Sequence, residues 1–330
     1  MMIRTRQAAG VIRRATLCAA LLASSLPAAA VAADFPIKPM RYVLGFAAGG
    51  AADLVCRAWG AKLTAATGQQ VVVENRPGAA SELAIKHVMA APADGYTLLC
   101  TTASAGILSA KLKASFDLRT DLAPVIQMTS STFVFYISPS LPVKSIQELI
   151  AYSKARPGKI NYGSVGVGST THLAFEVFKQ STGLDIVHIP FKGTAQTSVA
   201  VMSGEIQVGL DAATVLKPHF DSGKLRPLAV ISARRTPTLP EVVGMQEAGI
   251  ANVDVVAWNG LTAPLKTPRE VIDVLNRHYN EFLKDPEFRA FHFKQGFEAE
   301  GGSPEVLARR IASEVEAWSR VIRALKIEFD

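Results

Sequence analysis

Ser164, Ser169, Thr170, Thr171 and His172 lie within one Gly-rich turn, Tyr162-Gly-Ser-Val-Gly-Val-Gly-Ser-Thr-Thr-His172. Hydroxyls and an imidazole this close offer two kinds of chemistry. A serine can act as a nucleophile if a histidine takes its proton and an acid orients that histidine. Alternatively, hydroxyls beside the unpaired N–H groups of a starting helix can hold an anion. The turn is not a G-x-S-x-G elbow. It is not a phosphate loop either, because Ser169 stands where the lysine is required. Gly166 and Gly168 lack the third glycine of a dinucleotide fingerprint. Ser169 or Thr170 can also be no more than a helix cap. His172 reads as a core or cap-supporting residue, with a base for Ser169 or Ser164 in a secreted hydrolase as the alternative.

A counterpart lies upstream, in Arg41-Tyr-Val-Leu-Gly-Phe-Ala-Ala-Gly-Gly-Ala-Ala-Asp53. Phe46, Ala47, Ala48, Gly49, Ala52 and Asp53 belong to a loop with no bulky side chain after Phe46. Gly49 and Gly50 permit positive φ and close approach of a ligand to the backbone. No lysine follows them, so this is no Walker loop. It reads as an anion cradle or as an ordinary strand-to-helix turn. Thr102 and Ser104 fall in a small polar loop, and Asp211 ends a strand, either to meet a ligand or to cap the next helix. Trp258-Asn259-Gly260 is a hinge or a piece of pocket wall. The six histidines, His87, His172, His188, His219, His278 and His292, show no ligand spacing, and H-E-x-x-H and C-x-x-C are absent. Neither a metal nor a cofactor is expected.

The elements around these residues alternate short apolar strands with amphipathic helices, the pattern of an α/β protein with parallel strands. Strands are expected at 41–46, 70–74 and 96–100, with helices at 53–66 and 81–91. Two extended runs, 122–128 and 132–137, flank Ser130 and Ser131. A second α/β set follows, with helices at 145–155, 170–181, 193–202 and 213–221 and strands at 160–163, 186–189, 206–210 and 225–231. Ser145 with Glu148 reads as a capping box. A further extended run covers 253–263, and helices fill 268–284, 286–295 and 303–325. One lobe is therefore discontinuous: residues 34–131 with 258–330 form the first, and 132–257 the second, with a cleft between them.

Residues 1–33 carry four arginines, an apolar run from Ala15 to Leu26 and a small-residue tract ending at Ala33, the order of a secretory leader. A mature start near Asp34 is expected, by a Sec or twin-arginine route, and the chain reads as exported and soluble. The leader holds four of the positive charges, so the formal charge falls from +7 to +3 without it. That balance gives no support for nucleic-acid binding. Cys56 and Cys100 survive maturation; one sits in a helix and one at a strand end, and buried free thiols are expected over a bridge.

The order of motifs resembles the Bug family, the TctC-like extracytoplasmic receptors of tripartite tricarboxylate transporters. The resemblance rests on Gly45-Phe-Ala-Ala-Gly-Gly-Ala-Ala-Asp53, Val73-Glu-Asn-Arg-Pro-Gly-Ala79, Asp94-Gly-Tyr-Thr-Leu98, Asn161 to Ser169 with His172-Leu173, Lys192-Gly193, Gly223-Lys-Leu-Arg-Pro-Leu-Ala229 and Trp258-x-Gly-Leu261. It implies a two-lobed periplasmic-binding-protein (Venus flytrap) α/β fold, type II-like, with two crossover segments. It also implies a small carboxylate held between the two Gly-rich loops, Phe46 to Asp53 and Ser164 to His172, with support from Thr102, Ser104 and Asp211. The implied partners are that carboxylate and the permease subunits of such a transporter, met as a monomer. The implied role is capture and delivery, without catalysis; a ligand-sensing adaptor is a further alternative. The chain departs from the family pattern at Gly45 (usually Pro), Ala52 (Thr or Ser), Ala80-Ser81 (a Gly-rich pair), Phe191 (Tyr) and Val243-Gly244 (Pro-Thr).

Overall fold

A computed structural model describes residues 35–111, 114–250 and 255–325. The expected leader, and the first residues of the run expected from Val253, lie outside them. The chain opens with β1 (Met40–Leu44), α1 (Ala51–Thr67), β2 (Val71–Asn75), a 3-10 turn (Ala79–Ser81), α2 (Glu82–Met89), β3 (Thr97–Thr102) and α3 (Ala103–Ser109). β4 (Leu122–Ile137) leads to α4 (Ile146–Lys154), β5 (Asn161–Ser164), α5 (Thr170–Thr182), β6 (Val187–Pro190), α6 (Thr194–Ser203), β7 (Val208–Ala212), α7 (Ala213–Asp221) and β8 (Arg226–Val230). The rest is β9 (Val256–Pro264), α8 (Arg269–Phe282), α9 (Pro286–Lys294), β10 (Glu298–Ala299) and α10 (Pro304–Leu325).

The strands form one sheet in the order β2-β1-β3-β9-β4-β7-β5-β6. Its flanks are parallel, as the alternating pattern predicts, but β3–β9, β9–β4 and β4–β7 are antiparallel. The two runs expected either side of Ser130 and Ser131 are a single strand of 16 residues. Its first part pairs with β9 as far as Thr132, and its last part pairs with β7 and β8 from Phe133 on. The serines stay extended because β10 pairs there, with Ser130 opposite Glu298 and its hydroxyl donating to Glu300.

A second difference is α3. Thr101 to Ser104 reads as a loop, yet Ala103–Ser109 is helical and wholly buried. Gly and Ser disfavour helix on their own. Packing against α10 overrides that preference, with Gly106 close enough to Glu314 that an added Cβ would lie 3.2 Å from its Cβ.

Aromatic groups anchor each half. Trp59 of α1 packs on Tyr279 and Phe288, and its indole N–H donates to His292 at 3.0 Å. In the other half Phe135 of β4 sits against Phe175 and Phe178 of α5. Half of the capping box is present: Ser145 accepts from the Glu148 N–H, whereas the Glu148 carboxylate accepts from the N–H of Lys144, one residue before the cap. Cys56 and Cys100 are bonded, not free. Helix spacing turns Cys56 inward to β3, and the Cα atoms stand 6.5 Å apart, within reach of a bridge.

Candidate ligand-binding site

A pocket of about 630 Å³, its open mouth included, lies where the two halves of the sheet meet. Loop β1–α1 supplies Phe46, Ala47, Gly50 and the first turn of α1, and the β3–α3 junction supplies Thr102, Ala103 and Ser104. From the other half come Val165, Thr170 and Thr171 at the start of α5, Gly193 and Thr194 at α6, and Asp211 and Ala212 at α7. Ser131 and Phe133 of β4 and Ala257 to Asn259 of β9 form the back wall.

Several helices therefore begin at one cavity. α1, α6 and α7 follow Gly50, Gly193 and Ala212, and none has a side-chain cap. A helix start favours an anion through its unpaired N–H groups and the positive end of its dipole. No lysine or arginine is among the described residues that line it.

Two buried carboxyls stand at its edge, and they differ. Asp53 accepts from the Gly49 N–H at 3.0 Å, from Arg57 Nε at 2.9 Å and from Asn75 Nδ2 at 2.9 Å. Burial alone would raise its pKa, but these donors and the Arg57 charge hold it below the usual carboxylate range. Asn75 also donates to the Phe46 carbonyl, so this network sets the shape of the first loop. Asp211 has no such cation among the described residues. It accepts from Tyr136 Oη and Thr194 Oγ1, each at 2.8 Å, and burial pushes it up to about 7 against those bonds. It does not cap α7, whose N-cap is Ala212.

The second Gly-rich loop is pinned from behind. Ser169 caps α5 by accepting the His172 N–H, and Thr171 Oγ1 accepts the Val165 N–H. His172 Nδ1 accepts the Gly168 N–H at 3.1 Å, so this imidazole is neutral in the folded loop. Its ring stacks on His188 at 4.1 Å. His188 Nε2 lies 2.6 Å from Ser164 Oγ, and burial, then His172 and Lys179, hold its pKa down to about 3. The hydrolase geometry is thus not the expected one. The His172 ring serves Gly168, Ser164 pairs with His188, and the Ser164 side chain is fully buried.

The two halves touch across the cavity. Ala47 N–H donates to the Lys192 carbonyl at 3.4 Å, and Ser104 Oγ accepts the Thr170 N–H at 3.1 Å. Phe46, Ala47, Ala52, Asp53, Thr102, Ser104, Thr170, Thr171 and Asp211 line the pocket. Ala48, Gly49, Ser164, Gly168, Ser169 and His172 do not, and Gly166 lines a neighbouring cavity. Gly193 and Thr194 belong to the Lys192-Gly193-Thr stretch, and Ser131 and Phe133 of β4 carry no motif. Thr194 was findable as the residue after Lys192-Gly193 at a strand-to-helix junction.

The profile of the tripartite tricarboxylate transporter family receptor matches residues 55–327. BugT of Bordetella pertussis is 33% identical over 300 residues, covering 90% of this chain and 92% of BugT. The chain belongs to this receptor family. An R. palustris protein solved with adipate is 33% identical, with a TM-score of 0.84, over 89% of this chain and 99% of that one. MatC of Rhodopseudomonas palustris with bound malate is 26% identical, with a TM-score of 0.83, over 87% of this chain and 100% of MatC. The fold is accordingly the two-lobed α/β fold of periplasmic binding proteins.

Two of this receptor's departures from the family pattern meet in space. An added Cβ at Gly45 would lie 2.1 Å from Ser81 Oγ. Ser81 has φ 95°, and Ala79 and Ala80 also have positive φ, a conformation that favours glycine. The hydroxymethyl of Ser81 thus fills the space that a side chain at position 45 would take. Ala52 places a methyl, with no hydroxyl, on the pocket wall.

Proposed function

We propose that this chain is a periplasmic receptor that captures a small carboxylate and delivers it to the permease of a tripartite tricarboxylate transporter. The observation that carries the reading is the convergence of helix N-termini on a cation-free cavity. Hydrogen bonds to a charged group are worth about 1.5–3 kcal/mol each, so a few N–H donors suffice for useful affinity. Adipate and malate in the similar receptors support the ligand class.

In this reading Phe46, Ala47, Ala52, Thr102, Ser104, Thr170, Thr171 and Asp211 face the ligand. Ala48, Gly49, Asp53, Ser164, Gly166, Gly168, Ser169 and His172 hold the two loops in shape. Residues 34–131 with 258–330 form one lobe and 132–257 the other, and their closure buries the ligand. The leader ending near Ala33 is removed on export, and the mature chain acts as a monomer without turning its ligand over. It uses neither a metal nor a nucleic acid.

Calorimetry on ligand-stripped protein tests this against mono-, di- and tricarboxylates, aromatic acids and acidic amino acids. Binding of at least one acid, absent for its amide or ester, is expected. Silence across the whole panel overturns the proposal.

A further inference from the structure

A second cavity, of about 690 Å³ with its open mouth included, adjoins the pocket, and Phe46 and Val165 line both. One half of the molecule supplies Gly45, Phe46 and the turn from Gly78 to Ala80. The other supplies Val165 to Val167 and Pro190 to Lys192. Gly45 and Ala80 are buried, whereas Ala79, Pro190 and Lys192 are exposed at the rim. The halves approach closely here, since a Cβ added at Gly166 would lie 3.9 Å from Ala80 Cα.

The chemistry of this cavity is the opposite of the pocket's. Of the side chains that line it, only that of Lys192 carries a polar atom, and Lys192 is exposed. Much of the backbone is already bonded. The N–H groups of Gly166, Phe191 and Lys192 donate to Ser164 Oγ, the Ser164 carbonyl and Gln196 Oε1. The carbonyls of Phe46, Gly166 and Lys192 accept from Asn75 Nδ2, the Ser169 N–H and the Ala47 N–H. A polar occupant would leave water for few partners, whereas an apolar one gains by leaving it.

Three of the departures from the family pattern, Gly45, Ala80 and Phe191, fall on these walls. Ser81 fills the side-chain space of Gly45, which seats the 78–81 turn against the end of β1. Phe191 sets a bare ring where the pattern has a phenol. The apolar lining is thus this chain's own.

We propose that this cavity is an apolar side chamber of the binding site, and that the receptor takes carboxylates bearing a bulky apolar group, aryl or branched alkyl, that lodges there. The inference rests on the carboxylate reading above. The acid head stays with the helix N-termini, and the apolar group passes between Phe46 and Val165. Ala80, Val167 and Phe191 cover it, while the Lys192 ammonium remains in water.

The test uses calorimetry on ligand-stripped full-length mature protein. It pairs 3-phenylpropionate with propionate, and phenylsuccinate and isobutylsuccinate with succinate. Wild type is expected to bind the substituted member about tenfold more tightly. Phe191→Ala is expected to lose most of that gain and to leave the parent acid within about twofold. Equal binding of the paired acids by wild type overturns the inference while leaving the carboxylate reading in place. A Phe191→Ala variant that weakens both members alike, or neither, also overturns it. Photolysis of a diazirine-bearing phenylsuccinate on the wild-type protein gives a readout independent of any variant. Labelling of residues 78–80 or 190–192 that succinate displaces is expected. Labelling only elsewhere, or labelling that succinate leaves in place, overturns the inference. Failure of every acid to bind removes both readings together.

Discussion

Asp211 illustrates what a single residue in this site has to reconcile. Its carboxyl is buried with two hydroxyl donors and no cation, in a cavity built for an anion. Its raised pKa favours the protonated form up to about pH 7. The sign follows from linkage: the group stabilises the fold fully below its unfolded pKa, and that contribution is lost as pH rises through about 7. A bound anion raises the pKa further, so binding takes up a proton above that pH. Affinity should then fall with rising pH above 7, by at most about tenfold per unit for one proton. Asp211→Asn should flatten this profile in calorimetry run from pH 6 to 9. A slope unchanged in Asp211→Asn would assign the proton elsewhere. Sequence pointed to Asp211 only as the end of a strand. Its donors are 75 and 17 residues away, so its state was not legible there. The same holds for His188, which meets Ser164 only because β5 and β6 pair.

At the scale of elements, the periodic segments were the legible ones. α1, α5, α7 and α10 are set by apolar spacing and by capping or glycine stops, and their bounds fall within two residues of the sequence reading. α3 was missed because its small residues carry no helical pattern, and its burial between α10 and β9 makes it a helix. The join of β4 was missed because two serines resemble a turn unless the partner strands are known. The 45/81 contact yields a prediction at this scale. Gly45→Ala should cost about 1–3 kcal/mol through overpacking against Ser81. Ser81→Gly should recover most of it in the double variant, because it removes both the clash and the positive-φ side chain. Urea unfolding of the two single variants and the double measures the coupling, and strict additivity would break the link.

For the whole molecule, the bond between Cys56 and Cys100 ties α1 to β3, closing a separation of 44 residues. Chain entropy alone assigns such a loop about 4 kcal/mol. Reduction should therefore lower the midpoint of thermal unfolding by several degrees, and Cys56→Ser with Cys100→Ser should match the reduced protein. Equal midpoints with and without reductant would show that the bridge adds nothing. Cysteine count alone could not decide this, because the contact depends on how α1 lies on the sheet. The larger plan was readable because the Gly-rich turns recur in order along the chain. The contacts across the pocket were not, since Ala47 with Lys192 and Ser104 with Thr170 join residues far apart in sequence.

The long central strand also governs timing. Leu122 of β4 pairs with Pro264 of β9, and Leu99 of β3 pairs with Thr262. Every strand of the first half precedes β9 by more than a hundred positions, yet β3 and β4 meet only through it. A nascent chain that has emerged as far as residue 250 owns most of its helices but cannot close its sheet. Non-local pairing of this kind slows folding and leaves strand edges open meanwhile. The last quarter of the chain supplies the clasp.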